Sequence, residues 1–186
     1  MTPATFFQLP FSSTHGWAEL SKRQPSVTRL VLFLVLPMSF IPPLMLYYAG
    51  THYGDAFLAG FGDKQWRFIT TIFFLAELLT FAVMGWLIYE VTNTGKQAIS
   101  IHDAYLLAAL APIPLWLSAL ALLIPSLTFN VIVALVALGI SCSLVYHGLQ
   151  GLARKQEEME TLSATYTIMA ASVLAWGLLI AIAWAY

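Results

Sequence analysis

Charge is what this chain has least of. Lysine, arginine, aspartate and glutamate together make up 9% of its 186 residues, against roughly 25% in a soluble domain. So little charge cannot cover a water-facing surface, which argues against a free-standing soluble enzyme. A net charge of −1 and the lack of any basic arm argue against a nucleic-acid partner. There is a single cysteine, Cys142, so no internal disulfide can form. It is expected to pack as a small apolar residue. No Gly-rich phosphate loop, GxSxG elbow or HExxH pair is present, and no nucleophile stands beside a base in the sequence. No cofactor is called for. No repeat is evident, so an inverted-repeat transporter is not supported. No apolar run begins before Leu30, so the first one is expected to stay as an uncleaved anchor.

What the chain has is long apolar runs. Mean hydropathy is +0.80 and 60% of residues are hydrophobic. Five segments carry this: Leu30–Tyr48, Phe68–Tyr89, Ala104–Ile124, Leu127–His147 and Thr165–Tyr186. Each can cross a hydrocarbon core ~30 Å thick at ~1.5 Å of rise per residue. The expected fold is all-α: a polytopic membrane protein built as a five-transmembrane-helix bundle. Residues 1–28 form an interfacial, cytoplasmic lead-in and 29–186 the membrane domain. Lys22, Arg23, Arg29, Lys96, Arg154 and Lys155 would share one side, with Lys64 and Arg67 on the other. The excess of positive charge places the N-terminus in the cytoplasm and Tyr186 outside. Trp66, Tyr89, Trp184 and Tyr186 end spans, where amphipathic rings favour the interface.

The lead-in carries Phe6, Phe7, Leu9 and Phe11 and then a short helix, Thr14–Arg23, with Trp17 and Leu20 on one face. It reads as a helix lying on the membrane surface. Pro37, Pro42 and Pro43 should kink or unwind span one near its outer end, since proline frees the carbonyl four residues earlier. The glycine-bearing stretch Gly50–Gln65 reads as an external turn or short hairpin-like excursion, and the Gly50–Gly54 spacing, outside the apolar run, is set aside. Pro125 and Ser126 alone separate spans three and four, which forces a helical hairpin. Arg154–Glu160 reads as a solvated stretch. Small residues recur at spacing four in Gly139–Ser143 and in Gly177–Ala181–Ala185, as faces for close helix packing. The span serines Ser118, Ser141, Ser143 and Ser172 are expected to bond carbonyls of their own helix.

One acid lies deep in a span. Glu77 sits mid-way along span two, with Thr70 and Thr80 on its side of the helix. A charge at that depth costs ~2.5–3.5 kcal/mol on insertion scales. Such a carboxyl can act as a proton or ion relay, or as a polar clasp to span three, where Pro112 and Pro114 free the carbonyls of Ala108 and Leu110. Glu77, Thr80, Pro112 and Pro114 are the candidate intramembrane site. The clasp outweighs the relay, because one acid without further polar partners makes a poor proton path. A second group gathers at the cytoplasmic ends: Glu90, His102, Asp103 and His147. Imidazoles and carboxylates can ligate a transition metal, but no pair here has helical ligand spacing. Span ends are also where polar side chains belong, and Asp103 suits a helix start.

The segment PFSSTHGWAELSKRQPSVTRLVLFLVLPMSFIPPL resembles the start of bacterial Yip1-domain inner-membrane proteins, with an amphipathic lead-in and a proline-bearing first span. DAYLLAALAPIPLWLSALALLIPSL resembles that family's third span through Tyr105, Pro112, Pro114, Trp116 and Pro125. The resemblance implies five spans and a cytoplasmic N-terminus. Eukaryotic relatives act in membrane trafficking and contact small GTPases; a bacterial-type member has no such pathway, and no catalytic residues carry over. The expected function is a non-enzymatic accessory or scaffold of the inner membrane. Its partners are the lipid bilayer and either further copies of itself or other membrane proteins. The alternative is a small proton- or ion-coupled transporter or channel centred on Glu77.

Overall fold

A computed structural model describes residues 9–11, 16–23, 26–94, 99–153 and 158–185. Phe6, Phe7, His15, Lys96, Arg154, Lys155 and Tyr186 lie outside them. The described residues are helical with no strand. Five helical stretches are long and apolar enough to cross a membrane: Val27–Phe57, Trp66–Thr94, Ile101–Leu123, Leu127–Leu152 and Met159–Ala181. Large apolar side chains such as Leu75, Leu79, Leu135, Val136, Leu174 and Leu178 are exposed on the outside of the bundle. Water would not tolerate that surface, and lipid does. The chain is a multi-pass integral membrane protein.

Span one is assembled from pieces. Helix α2 (Val27–Leu30) is started by the Ser26 hydroxyl, which accepts from Arg29 N–H, and it leads into a π turn at Val31–Val35. Helix α3 (Leu36–Ser39) and helix α4 (Ile41–Phe57) follow, each with proline in its first turn. Proline is tolerated there because those N–H groups have no helical partner. The interruptions beside the prolines fall at residues 31–40, in the first half of the span. The bend expected near its far end is present too, at Tyr53 (φ −148°, ψ 23°) inside α4, away from any proline.

Helix α4 also runs on to Phe57, through half of the stretch expected as a loop. Gly50 and Gly54 thus lie in a helix after all. A Cβ on Gly50 would sit 2.1 Å from Trp66 Cε2, and one on Gly54 would sit 3.1 Å from Gly62 N. The small-residue pair set aside on sequence grounds lets the end of span one close onto the start of span two. Trp66 is correspondingly a buried knob, with its indole N–H donating to the Phe61 carbonyl at 3.0 Å. It is not a lipid-facing anchor. The connection closes at Gly60, where φ is +80°, a conformation glycine adopts without strain.

Span two is one uninterrupted helix, α5 (Trp66–Thr94). Span three comprises α6 (Ile101–Leu110), α7 (Ile113–Ser118) and a 3₁₀ turn, Ala119–Leu123. It is the centre of the bundle. Of its apolar window 39% is buried, against 22–28% for the other four spans. Leu106 to Leu110 are buried without a gap. Helix α6 packs on α5, on α2 and on α8 (Leu127–Leu152). Helix α9 (Glu158–Ala185) packs on α5 and α8. It begins before Thr165: Glu158–Glu160, part of the stretch expected to be solvated, form its first turn, while 154–157 lie outside the described residues.

The lead-in is part of the core. In helix α1 (Gly16–Arg23) Trp17 is fully buried, and its indole N–H donates to the Leu9 carbonyl at 3.1 Å. Leu20 packs beside it. The ring lies on α8 at Gly148, where a Cβ would meet Leu107 Cδ1 at 2.6 Å and Trp17 Cη2 at 3.0 Å. Further along α8, Ser143 donates its hydroxyl to the Pro10 carbonyl. Ser143 was expected to bond its own helix, as Ser172 does to Ile168 O at 2.8 Å. It instead satisfies the backbone of the lead-in, which apolar surroundings make costly to leave unpaired.

Candidate intramembrane site and span-end cluster

The α6–α7 break positions the partner of Glu77. Pro112 cannot donate, so α6 ends at Leu110 and two turn residues follow before α7 starts at Ile113. Pro112 is the N-cap of α7 and its carbonyl accepts from Trp116 N–H at 2.9 Å. The re-aimed helix directs the Trp116 side chain toward span two, where it is buried. Its indole N–H donates to Glu77 Oε2 at 2.6 Å. Glu77 lies 11 residues into α5, about 16 Å along its axis, and is half-buried. The prolines serve Glu77 through backbone direction. The bond runs from a side-chain donor to the carboxylate, not from the carboxyl to a freed carbonyl of Ala108 or Leu110.

Thr80 does not join this contact. Its hydroxyl donates to the Ala76 carbonyl at 2.8 Å, and Thr70 does the same to Trp66 at 2.7 Å. Hydroxyls inside a span satisfy themselves on their own helix when no partner faces them. Next to the site, the rings of Phe40 and Phe74 meet edge to face at 5.5 Å. The contribution of Trp116 was legible in the sequence only as a tryptophan two residues beyond a proline pair.

The other group divides by role. Ser100 caps α6: its hydroxyl accepts from Asp103 N–H at 3.1 Å and donates to Asp103 Oδ2 at 2.7 Å. Asp103 is thus tied to the N-cap hydroxyl through both its N–H and its carboxyl, at the positive end of a helix dipole. His102 Nδ1 lies 4.0 Å from Asp103 Oδ1. On α8 the His147 ring stands edge-on to Tyr146 at 5.3 Å. Glu90 is exposed near the end of α5, where its carbonyl accepts from Thr94. Among the described residues no three His, Cys, Asp or Glu side chains stand together as a metal site.

Residues 7–185 match the Yip1 domain family, from the lead-in to the end of α9. The chain belongs to the Yip1 family. In this Yip1 protein the match includes the segment that packs Trp17 against Gly148, so the lead-in and the five spans form one family unit. No curated protein and no solved structure matches it.

Proposed function

We propose that this Yip1 protein is a non-enzymatic accessory or scaffold that packs against partners, or against further copies of itself, through helix faces in the inner membrane. The observation that carries this is the face of α9 at Gly177 and Ala181. Both are exposed, and a Cβ on Gly177 would meet nothing within 4 Å. Gly139 on α8 is open in the same way. Small residues at spacing four that pack on nothing in their own chain suit the close approach of another helix. The same spacing within this chain does find partners, at Gly50 and Gly54. The N-terminus is cytoplasmic in this reading, and Lys64 and Arg67 lie outside.

The test is association in native-like bilayers. The variant carrying Gly177→Leu and Ala181→Leu should weaken site-specific crosslinking across α9 by about tenfold, equivalent to ~1.4 kcal/mol. Gly62→Ala, distant from that face, should leave it unchanged. If wild-type protein crosslinks to nothing and native mass spectrometry finds only a lone monomer, the reading fails. The alternative, a proton- or ion-coupled carrier using Glu77, requires water at that carboxylate. The direct bond from buried Trp116 favours the clasp. Glu77→Gln in proteoliposomes separates the two: unchanged proton or cation flux removes the carrier reading.

A further inference from the structure

We infer that the lead-in is a re-entrant membrane element: its tip, Leu9–Phe11, lies inside the hydrocarbon layer, with Phe11 presented to lipid acyl chains. The bond from the Ser143 hydroxyl to the Pro10 carbonyl fixes the depth. Helix α8 has 26 residues. At ~1.5 Å of rise it is ~39 Å long, which exceeds a hydrocarbon layer ~30 Å thick by ~9 Å. Ser143 stands nine residues before Leu152, ~13 Å along the axis. Were all the excess length to project at the Leu152 end, Ser143 would still lie ~4 Å inside the layer. A helix placed evenly across the layer puts it ~9 Å inside. The Pro10 carbonyl is at the same level.

The chemistry of the tip suits that depth. A backbone polar group in hydrocarbon is costly without a partner. Pro10 has no N–H to satisfy. Its carbonyl accepts from Ser143, and the Leu9 carbonyl accepts from the Trp17 indole N–H at 3.1 Å. On a wet surface water would serve both carbonyls, and neither donor would be needed. Leu9 and Trp17 are buried, while the Phe11 ring beside them is 78% exposed. An exposed ring at the level of Ser143 meets acyl chains. Helix α8 bears the complementary mark. Exposed residues recur along it from Leu127 to Gly139, and none falls between Ile140 and Leu152. That second half is enclosed by α6, α9 and the lead-in. A partner helix therefore has α8 open to it along Leu127–Gly139 and closed beyond, a consequence that rests on the packing reading above, as the depth of the tip does not.

Electron paramagnetic resonance on the full-length protein in phospholipid nanodiscs tests this. In a Cys142→Ser background, a nitroxide is attached to one cysteine at a time: F11C, K22C or L135C. All three positions are exposed, so the labels leave the core in place. Dissolved oxygen concentrates in hydrocarbon, and a polar nickel chelate is excluded from it. The ratio of oxygen to chelate collisions at F11C should be at least about tenfold above that at K22C on α1. It should approach the ratio at L135C on the outer face of α8. Adding Ser143→Ala to F11C should lower the ratio several-fold, because the Pro10 carbonyl then lacks its donor and moves toward water. Equal ratios at F11C and K22C overturn the proposal and return the lead-in to the membrane surface. A ratio that S143A leaves unchanged overturns it as well, since the depth follows from that bond. So does weak collision with both probes at F11C, which would mean that protein and not lipid covers the ring. Crosslinking across α9 is independent of all three results, so failure here is distinct from failure of the packing reading.

Discussion

The Trp116 indole and the Glu77 carboxylate make each other's burial tolerable. Neither group is well placed in hydrocarbon alone, and the 2.6 Å bond between them gives each a partner. Trp116→Phe keeps an aromatic ring but removes the donor together with three ring atoms. It should destabilise the protein by about 1–3 kcal/mol, the cost of an unpaired buried polar group. Glu77→Gln keeps an acceptor oxygen and should cost less than about 1 kcal/mol. Reversible unfolding in mild detergent, followed by tryptophan fluorescence and circular dichroism, measures both. A Trp116→Phe protein as stable as wild type would show that the bond contributes nothing. Among residues, Glu77 was conspicuous in the sequence because an acid in an apolar run is costly at any contact. Its partner was not, because Trp116 sits 39 residues away and its direction depends on a backbone break.

At the scale of elements, proline and glycine perform opposite tasks. Pro37, Pro42 and Pro43 occupy first turns, so span one becomes a series of short helices joined by a π turn. Gly50, Gly85 and Gly148 mark where helices touch: a Cβ on each would lie within 2.6 Å of Trp66, Tyr105 or Leu107. The chain therefore breaks beside these prolines and closes at these three glycines, while Gly139 and Gly177 face outward. The prolines could be read locally, since each removes its own N–H. The glycine contacts could not, since each depends on the ring opposite. Trp17→Ala should release α1 from α8 while leaving the five spans assembled. Hydrogen exchange should then rise at least about tenfold over Gly16–Arg23 and change little in α6, because local opening is governed by local contacts. Unchanged protection of α1 would show that Trp17 does not hold it.

For the whole molecule, the arrangement is a central span with others around it. Span three is the most buried, and spans four and five leave broad apolar faces outward. The lead-in closes one end of the bundle through Trp17 and Ser143, and the Trp66 knob closes the other. Orientation is open to direct test. In a Cys142→Ser background, single cysteines replacing Lys22 and Lys64 should label from opposite sides of intact cells: the Lys64 position with an impermeant maleimide, the Lys22 position only after permeabilisation. Labelling of both from outside would overturn the cytoplasmic N-terminus. The outward faces of α8 and α9 require lipid or another helix, and the Gly177–Ala181 face tests which of these it meets.

Composition and the spacing of apolar runs were enough to determine a helical membrane bundle with five crossings, because hydrocarbon thickness sets span length and backbone hydrogen bonding excludes other folds. The family resemblance was legible for the same reason that the prolines were: both are properties of consecutive residues. Only the tertiary structure decided that Trp66 and Trp17 are buried knobs, that Gly50 and Gly54 belong to a helix, and that Ser143 serves the lead-in. It alone decided that Glu77 faces an indole N–H. Each of these depends on which surfaces meet, and an apolar run has no periodicity that says which of its faces turns inward.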